Sequence, residues 1–223
     1  MENPAPLIDH TLLKPDATEP QFASLCEEAV ECGFASVCLP PAFVPLAVDL
    51  LYGSAVKVGT VVGFPCGFTS LRQKVMETAE SVAAGAGEID MVIPIGRLLE
   101  QRTELVEEEI AQVVLAAEQA KVKVIIECHY LNRKQKQLAT QLVVKAGAAY
   151  VKTSTGFAPS GATVEDVELL VEAAAGRIGV KAAGGIRDLA SCELMVAAGA
   201  TRIGTSAGVK IVTEWYEQQG GAG

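Results

Sequence analysis

At 223 residues, half of them hydrophobic, the chain can bury one sizeable core but is short for two domains. Its 27 acidic residues outnumber 18 basic ones and give a formal net charge of -9, which excludes nucleic acid and anionic membrane as general partners. An anionic ligand has to be caught by a local site, against the overall field.

The six cysteines, Cys26, Cys32, Cys38, Cys66, Cys128 and Cys192, are scattered through apolar segments with no CxxC pair and no signal-like stretch before Leu7. They read as reduced thiols of a cytoplasmic protein. The apolar runs are of strand length, far short of the ~20 residues needed to span a bilayer, so no membrane insertion is expected. His10 and His129 are the available imidazoles, and neither has a carboxylate or thiol at metal-ligand spacing; no metal is expected.

In chain order, the first predicted strand is Leu7–Leu12, and Thr18-Glu19-Pro20-Gln21 then fits a capping box that opens a helix. Cys32-Gly33 stops that helix before a strand at Phe34–Leu39, and a third strand follows at Lys57–Phe64. Ala84-Gly85-Ala86 precedes the strand Glu88–Ile93, and the fifth strand is Val122–Cys128. A capping box at Asn132-Arg133-Lys134-Gln135 starts the next helix, which Ala146-Gly147-Ala148 ends before the strand Ala149–Thr153. Thr163 precedes Glu165 and Asp166 in a helical first turn, and the seventh strand is Gly179–Ala182. Ala198-Gly199-Ala200 introduces the eighth at Arg202–Thr205, and the chain closes on Gly220-Gly221-Ala222-Gly223, a tail from about residue 218 expected to be disordered.

The repeated helix stops, Gly33, Gly85, Gly147 and Gly199, lie 52, 62 and 52 residues apart, about two strand–helix units per interval. Such alternation implies a parallel sheet. A doubly wound open sheet alternates in the same way, but eight strands without GxGxxG after the first favour a closed (β/α)8 TIM barrel forming one α/β domain over residues 1–223.

Strands of such a barrel are covered on both faces and are expected to read as nearly continuous apolar runs. Asp90 within Ile89-Asp90-Met91, Lys152 within Val151-Lys152-Thr153 and Lys181 within Val180-Lys181-Ala182 interrupt them. Each could snorkel to solvent, or the three could neutralise one another structurally. Three charges on three strands, each before a loop of special composition, favour a functional reading. A lysine attacks a carbonyl only as the free amine. Desolvation and a second cation nearby both lower its pKa, so two lysines on neighbouring strands, with a carboxylate to relay protons, describe Schiff-base chemistry.

Gly156 after Thr155, Gly184-Gly185 before Ile186-Arg187-Asp188, and Gly204-Thr205-Ser206 before the last helix offer unobstructed backbone N–H groups. Any one of these glycines could be an ordinary turn former. Their joint placement after the later strands is where barrels bind phosphate, with helix N-termini adding partial positive charge.

The segments Ile8-Asp9-His10-Thr11-Leu12-Leu13-Lys14-Pro15, Val62-Gly63-Phe64-Pro65, Glu88-Ile89-Asp90-Met91-Val92-Ile93, Val151-Lys152-Thr153-Ser154-Thr155-Gly156, Lys181-Ala182-Ala183-Gly184-Gly185-Ile186-Arg187 and Arg202-Ile203-Gly204-Thr205-Ser206 resemble the deoxyribose-phosphate aldolase family in order and spacing. The likeness runs from about Leu7 to Val209. It implies reversible cleavage of 2-deoxy-D-ribose 5-phosphate to D-glyceraldehyde 3-phosphate and acetaldehyde, with no metal and no organic cofactor, in a homo-oligomer, a dimer being favoured. By the family pattern Lys152 forms the Schiff base, Lys181 depresses its pKa, and Asp90 with a water moves protons. Asp9, Cys38 and Thr155 fall at substrate positions, while Gly156, Gly184, Gly185, Arg187, Gly204 and Ser206 fall in the phosphate loops.

Three positions depart from the family pattern. Ala207 stands where many members have a second serine. The last tyrosine is Tyr216, without the terminal tyrosine that some members use to shuttle a proton. Pro40-Pro41 replaces a single proline after Leu39. Two rival readings are a transaldolase-like enzyme acting on ketose donors and a phosphosugar-binding barrel without turnover; a pyridoxal-phosphate enzyme is a more distant third.

Overall fold

A computed structural model of the chain describes residues 1–220. In order the elements are β1 (Ile8–Thr11), α1 (Glu19–Cys32), β2 (Ser36–Leu39), α2 (Val44–Leu50), β3 (Lys57–Val62), α3 (Leu71–Ala83), β4 (Glu88–Val92), α4 (Ile95–Leu99), α5 (Thr103–Ala116) and β5 (Lys121–Ile125). There follow α6 (Arg133–Lys145), β6 (Tyr150–Lys152), α7 (Val164–Ala174), β7 (Gly179–Ala183), α8 (Leu189–Ala197), β8 (Arg202–Thr205) and α9 (Gly208–Gly220). The eight strands pair in parallel in sequence order, and β1 pairs with β8 to close the barrel. The last helix runs on to Gly220, beyond the point where a flexible tail was expected to begin. Residues 221–223 of that tail lie outside the described residues.

Local chemistry accounts for the boundaries. Gln21 accepts from the Thr18 N–H at 2.9 Å, Gln135 N donates to Asn132 Oδ1 at 3.0 Å, and Asp166 N donates to Thr163 Oγ1 at 3.1 Å. Each satisfies an N–H that a helix start leaves without a partner. The Ala-Gly-Ala stops work because Gly85 and Gly199 take φ of 104° and 101°, a region nearly closed to other residues. Two strands end two or more residues earlier than the sequence pattern predicts, at Val62 and Ile125 in place of Phe64 and Cys128. β3 stops at Val62 because Gly63 turns at φ 61°, and β5 stops at Ile125 because Glu127 is held at φ 51°.

The expectation of continuously apolar strands is corrected by the structure: the strands alternate. Val37 and Leu39, Val58 and Val62, Ile89 and Met91, and Val122 and Val124 pack outward into the apolar layer under the helices. The helices meet them with stripes such as Phe22, Leu25, Cys26 and Ala29 on α1, each large side chain contributing about 1.5–3 kcal/mol by burial. Residues one position along, Ser36, Glu88, Asp90 and Lys123 among them, point into the barrel and bond to one another. The main hydrophobic core is thus the shell between strands and helices, and the barrel axis is polar.

Candidate active site

Register brings the interior charges together. Lys152 and Lys181 are Cα partners across β6 and β7, as are Asp90 and Lys123 across β4 and β5. The two lysine amines share one carboxylate oxygen: Lys152 Nζ and Lys181 Nζ each donate to Asp90 Oδ2 at 2.7 Å. Lys181 also lies 2.5 Å from Asp9 Oδ2. Lys123 Nζ lies 2.6 Å from Glu88 Oε2, 3.0 Å from Asp90 Oδ1 and 3.4 Å from Asp9 Oδ2. Arg202 donates to Asp9 Oδ1 at 2.7 Å and to Glu88 Oε1 at 3.2 Å, and Ser36 Oγ donates to Asp9 Oδ1 at 2.7 Å.

Four cations therefore meet three carboxylates inside the barrel. A buried charge persists only if it is paired, so the cation with the poorest pairing should be the one that sheds its proton. Lys152 is that cation, because Asp90 is its sole carboxylate partner whereas Lys181, Lys123 and Arg202 are each shared among two or more. Burial lowers the Lys152 pKa, and the Lys181 charge lowers it further against the opposing pull of Asp90. Burial works on Lys181 as well, but Asp9 and Asp90 outweigh it and leave that ammonium above its ordinary value. Burial would raise the Asp90 carboxyl, yet Lys123, Lys152 and Lys181 hold it well below the usual range. Lys152 is thus the amine of the cluster that gives up its proton most readily, beside an ammonium and a carboxylate that hold their charges.

Above this cluster, at the C-terminal ends of the strands, a cavity of about 280 Å³ has Lys152 among its lining residues. Its walls include Thr155, Gly156, Gly184, Gly185, Arg187, Gly204 and Ser206, the residues singled out in the sequence around the later loops. Lys181, Asp90 and Asp9 lie buried outside the lining, and so does Cys38. The Cys38 thiol is pushed up to about 11 by burial and by Asp90. Thr155 donates its hydroxyl to the buried Glu127 carboxylate, which also accepts from Thr155 N at 3.2 Å. The loop after β6 is thereby fixed before any ligand arrives.

The glycines of the rim have two different causes. A Cβ on Gly204 would sit 2.9 Å from Lys181 Cε, so β8 is thinned there to admit the lysine. Gly184 packs backbone to backbone on Gly161, with 2.9 Å between its would-be Cβ and the Gly161 Cα, and takes φ 87°. Both glycines line the cavity. A larger cavity of about 470 Å³ lies between the loops after β3 and β4 and helix α5, lined by Arg97, Glu100, Glu108 and Glu109 among others. It holds none of the interior lysines.

Sequence reasoning missed Lys123, Glu88, Arg202 and Glu127. Lys123 carries the same signal as Asp90, a charge flanked by Val122 and Val124, and the period-two pattern would have found it. Glu127 carries no local signal, because its role comes from a backbone turn after β5. Lys14 and Phe157 also line the cavity without having been assigned a role there.

The sequence profile of the DeoC/LacD family aldolases matches residues 5–214. The chain belongs to that aldolase family. This aldolase is 55% identical over 217 residues to a protein of Syntrophotalea carbinolica named deoxyribose-phosphate aldolase, covering 97% of this chain and 98% of that one. It is 54% identical over 211 residues to one of the same name from a Geobacillus species, covering 94% and 95%. Among solved structures, the tetrameric deoxyribose phosphate aldolase of Aeropyrum pernix superposes with a TM-score of 0.89 at 37% identity, covering 96% of this aldolase and 91% of that chain. No helix among its described residues is long and apolar enough to cross a membrane.

Proposed function

We propose that this aldolase reversibly cleaves 2-deoxy-D-ribose 5-phosphate into D-glyceraldehyde 3-phosphate and acetaldehyde through a Schiff base on Lys152. The free amine of Lys152 adds to the C1 aldehyde of the open-chain sugar, and loss of water gives an iminium. A water held near Asp90 takes the proton of the C3 hydroxyl and passes it to solvent as the C2–C3 bond breaks, and the electron pair of that bond moves onto the iminium to form an enamine. C3 leaves as the aldehyde carbon of glyceraldehyde 3-phosphate. Protonation at C2 and hydrolysis then release acetaldehyde and restore the amine. The iminium is itself the electron sink, so these steps call for neither a metal nor an organic cofactor.

Asp90, 2.7 Å from Lys152 Nζ, is placed to move protons at that nitrogen with the help of water. Lys181 acts through its charge, and Asp9 acts through Lys181 as a positioning residue. Gly156, Gly184, Gly185, Arg187, Gly204 and Ser206 form the phosphate end, with Thr155 fixing the loop between. The observation that carries the reading is the pair of lysines on one carboxylate oxygen whose pKa values move in opposite directions, the lowered one at the cavity.

Treatment with acetaldehyde and borohydride followed by peptide mass spectrometry tests it. The reduced adduct is expected on Lys152, and Lys152→Ala should lose both adduct and turnover. Lys181→Met removes a repelling charge and leaves Asp90 Oδ2 to Lys152 alone, both of which raise the amine's pKa. The rising limb of its kcat/KM profile should therefore move to higher pH, with adduct still forming slowly on Lys152. An adduct on Lys181, or near-normal turnover in Lys152→Ala, overturns the assignment. Cleavage of a ketose donor in place of the deoxy sugar would reassign the substrate.

A further inference from the structure

We propose that Lys14 is the second cation of the phosphate end of the cavity, supplied by the loop after β1 on the opposite side of the β8 loop from Arg187. The proposal rests on the phosphosugar reading above. Strand order fixes the placement: β8 pairs with β7 on one side and with β1 on the other. The loops carrying Arg187, Ser206 and Lys14 are therefore consecutive around the rim, and all three residues line the one cavity.

The charge of that lining is one-sided. Lys14, Lys152 and Arg187 are its ionisable members, and no aspartate or glutamate is among them, in a chain with 27 acidic and 18 basic residues. The larger cavity near α5 is lined by a mixture of Arg97 with Glu100, Glu108 and Glu109; a cavity around Lys121 and Arg177 at the other end of the strands is also free of carboxylates but holds none of the interior lysines. Lys152 is committed to the carbonyl end. A phosphate monoester carries about -1.5 to -2 charges at neutral pH, which backbone N–H groups and a single arginine leave partly uncompensated. A second fixed cation supplies the balance.

Lys14 is suited to the task by its local structure. Its carbonyl accepts from Ala17 N at 3.1 Å, closing a turn with Pro15 at the second position, so its backbone is set before binding. Its side chain is exposed and has no carboxylate within ion-pair distance among the described residues. An unpaired lysine at a cavity mouth contributes a point charge and long-range attraction without having to break an existing pair.

Steady-state kinetics of wild type, Lys14→Met and Lys14→Arg with 2-deoxy-D-ribose 5-phosphate and with unphosphorylated 2-deoxy-D-ribose test the inference. Lys14→Met should raise KM for the phosphorylated sugar by about tenfold, as expected for one charged contact at a partly solvated site, with kcat little changed. Its KM for the unphosphorylated sugar should not move, Lys14→Arg should stay near wild type, and the salt dependence of kcat/KM should become shallower in Lys14→Met. Unaltered KM and salt dependence in Lys14→Met, in an enzyme that does discriminate between the two sugars, would sink the role of Lys14 alone. A wild type that fails to prefer the phosphorylated sugar would remove the phosphosugar reading and this proposal with it.

Discussion

Ala207 is the residue just before α9, and its N–H donates to Thr205 Oγ1 at 2.9 Å while its methyl group offers nothing to the first turn of the helix. A serine there would provide both a cap acceptor, worth about 0.5–2 kcal/mol, and a hydroxyl next to Ser206 at the phosphate loop. Ala207→Ser is expected to raise the thermal midpoint and to lower KM for the phosphorylated sugar more than it changes kcat. Calorimetry and steady-state kinetics on the same preparation separate the two effects. A higher midpoint with unaltered KM would assign the hydroxyl to the helix alone. At this scale Lys152, Lys181 and Asp90 were legible because a charge between two apolar neighbours is conspicuous in a strand. Asp9 and Cys38 were legible only by resemblance, and the structure places both buried outside the cavity lining.

Helices α3 and α5 pack through a polar contact where an apolar one would be the default. Glu109 falls at the position of α5 in register with Val106, Ile110 and Val113, and the wholly buried Lys74 of α3 meets it at 2.5 Å. Lys74 Nζ also donates to Gly67 O at 2.8 Å and Val92 O at 2.7 Å. One ammonium thus ties α5, the loop after β3 and the end of β4 together. Lys74→Met should cost about 3–5 kcal/mol, because it strands a carboxylate and two carbonyls. Adding Glu109→Leu should recover part of that loss, as apolar replacements of whole buried pairs often do. Urea denaturation of the single and double variants checks both statements, and additive losses would show the two side chains to be independent.

The existence and order of strands and helices were readable from capping residues, helix-stopping glycines and period-two apolar runs. Their ends were less so, since Gly63 and Glu127 bend the chain for reasons set by neighbouring loops. The capping box at Ser70, whose N–H donates to Gln73 Oε1 at 2.9 Å, had the same signature as the box at Asn132. Asp188 caps α8 with Ser191 in the third position, where no glutamate or glutamine marks it.

Closure of the barrel does not follow from alternation, and the count of eight strands had to decide it. The polar axis was not foreseen because the rule for parallel strands, apolar on both faces, fails where an enzyme stores charge inside. That axis sets how the whole molecule responds to acid. Lys123, Lys181 and neighbouring cations outweigh the effect of burial and hold Asp9 and Asp90 below the ordinary value of 3.8. A carboxyl with a depressed folded pKa stabilises the fold above its unfolded pKa, and that contribution drains away as pH falls toward the folded value. Stability should therefore be insensitive to these two groups from neutrality down to about pH 4, then fall by up to ~1.4 kcal/mol per pH unit for each. Urea midpoints measured across that range test it. A decline already steep between about pH 6 and 5 would mean that one of the interior carboxylates is not held ionised.

The surplus of one cation over the carboxylates has a further consequence for the reaction proposed here. With Lys152 as a neutral amine, the interior is electroneutral at rest. Formation of the iminium breaks that balance by one positive charge, inside a cage whose other members are already paired with one another. The enamine nitrogen carries no formal charge, so breaking the C2–C3 bond returns the interior to neutrality once the hydroxyl proton has left through water. The barrel then favours cleavage by disfavouring the state before it, with a driving force set by the mismatch in its own fixed charges.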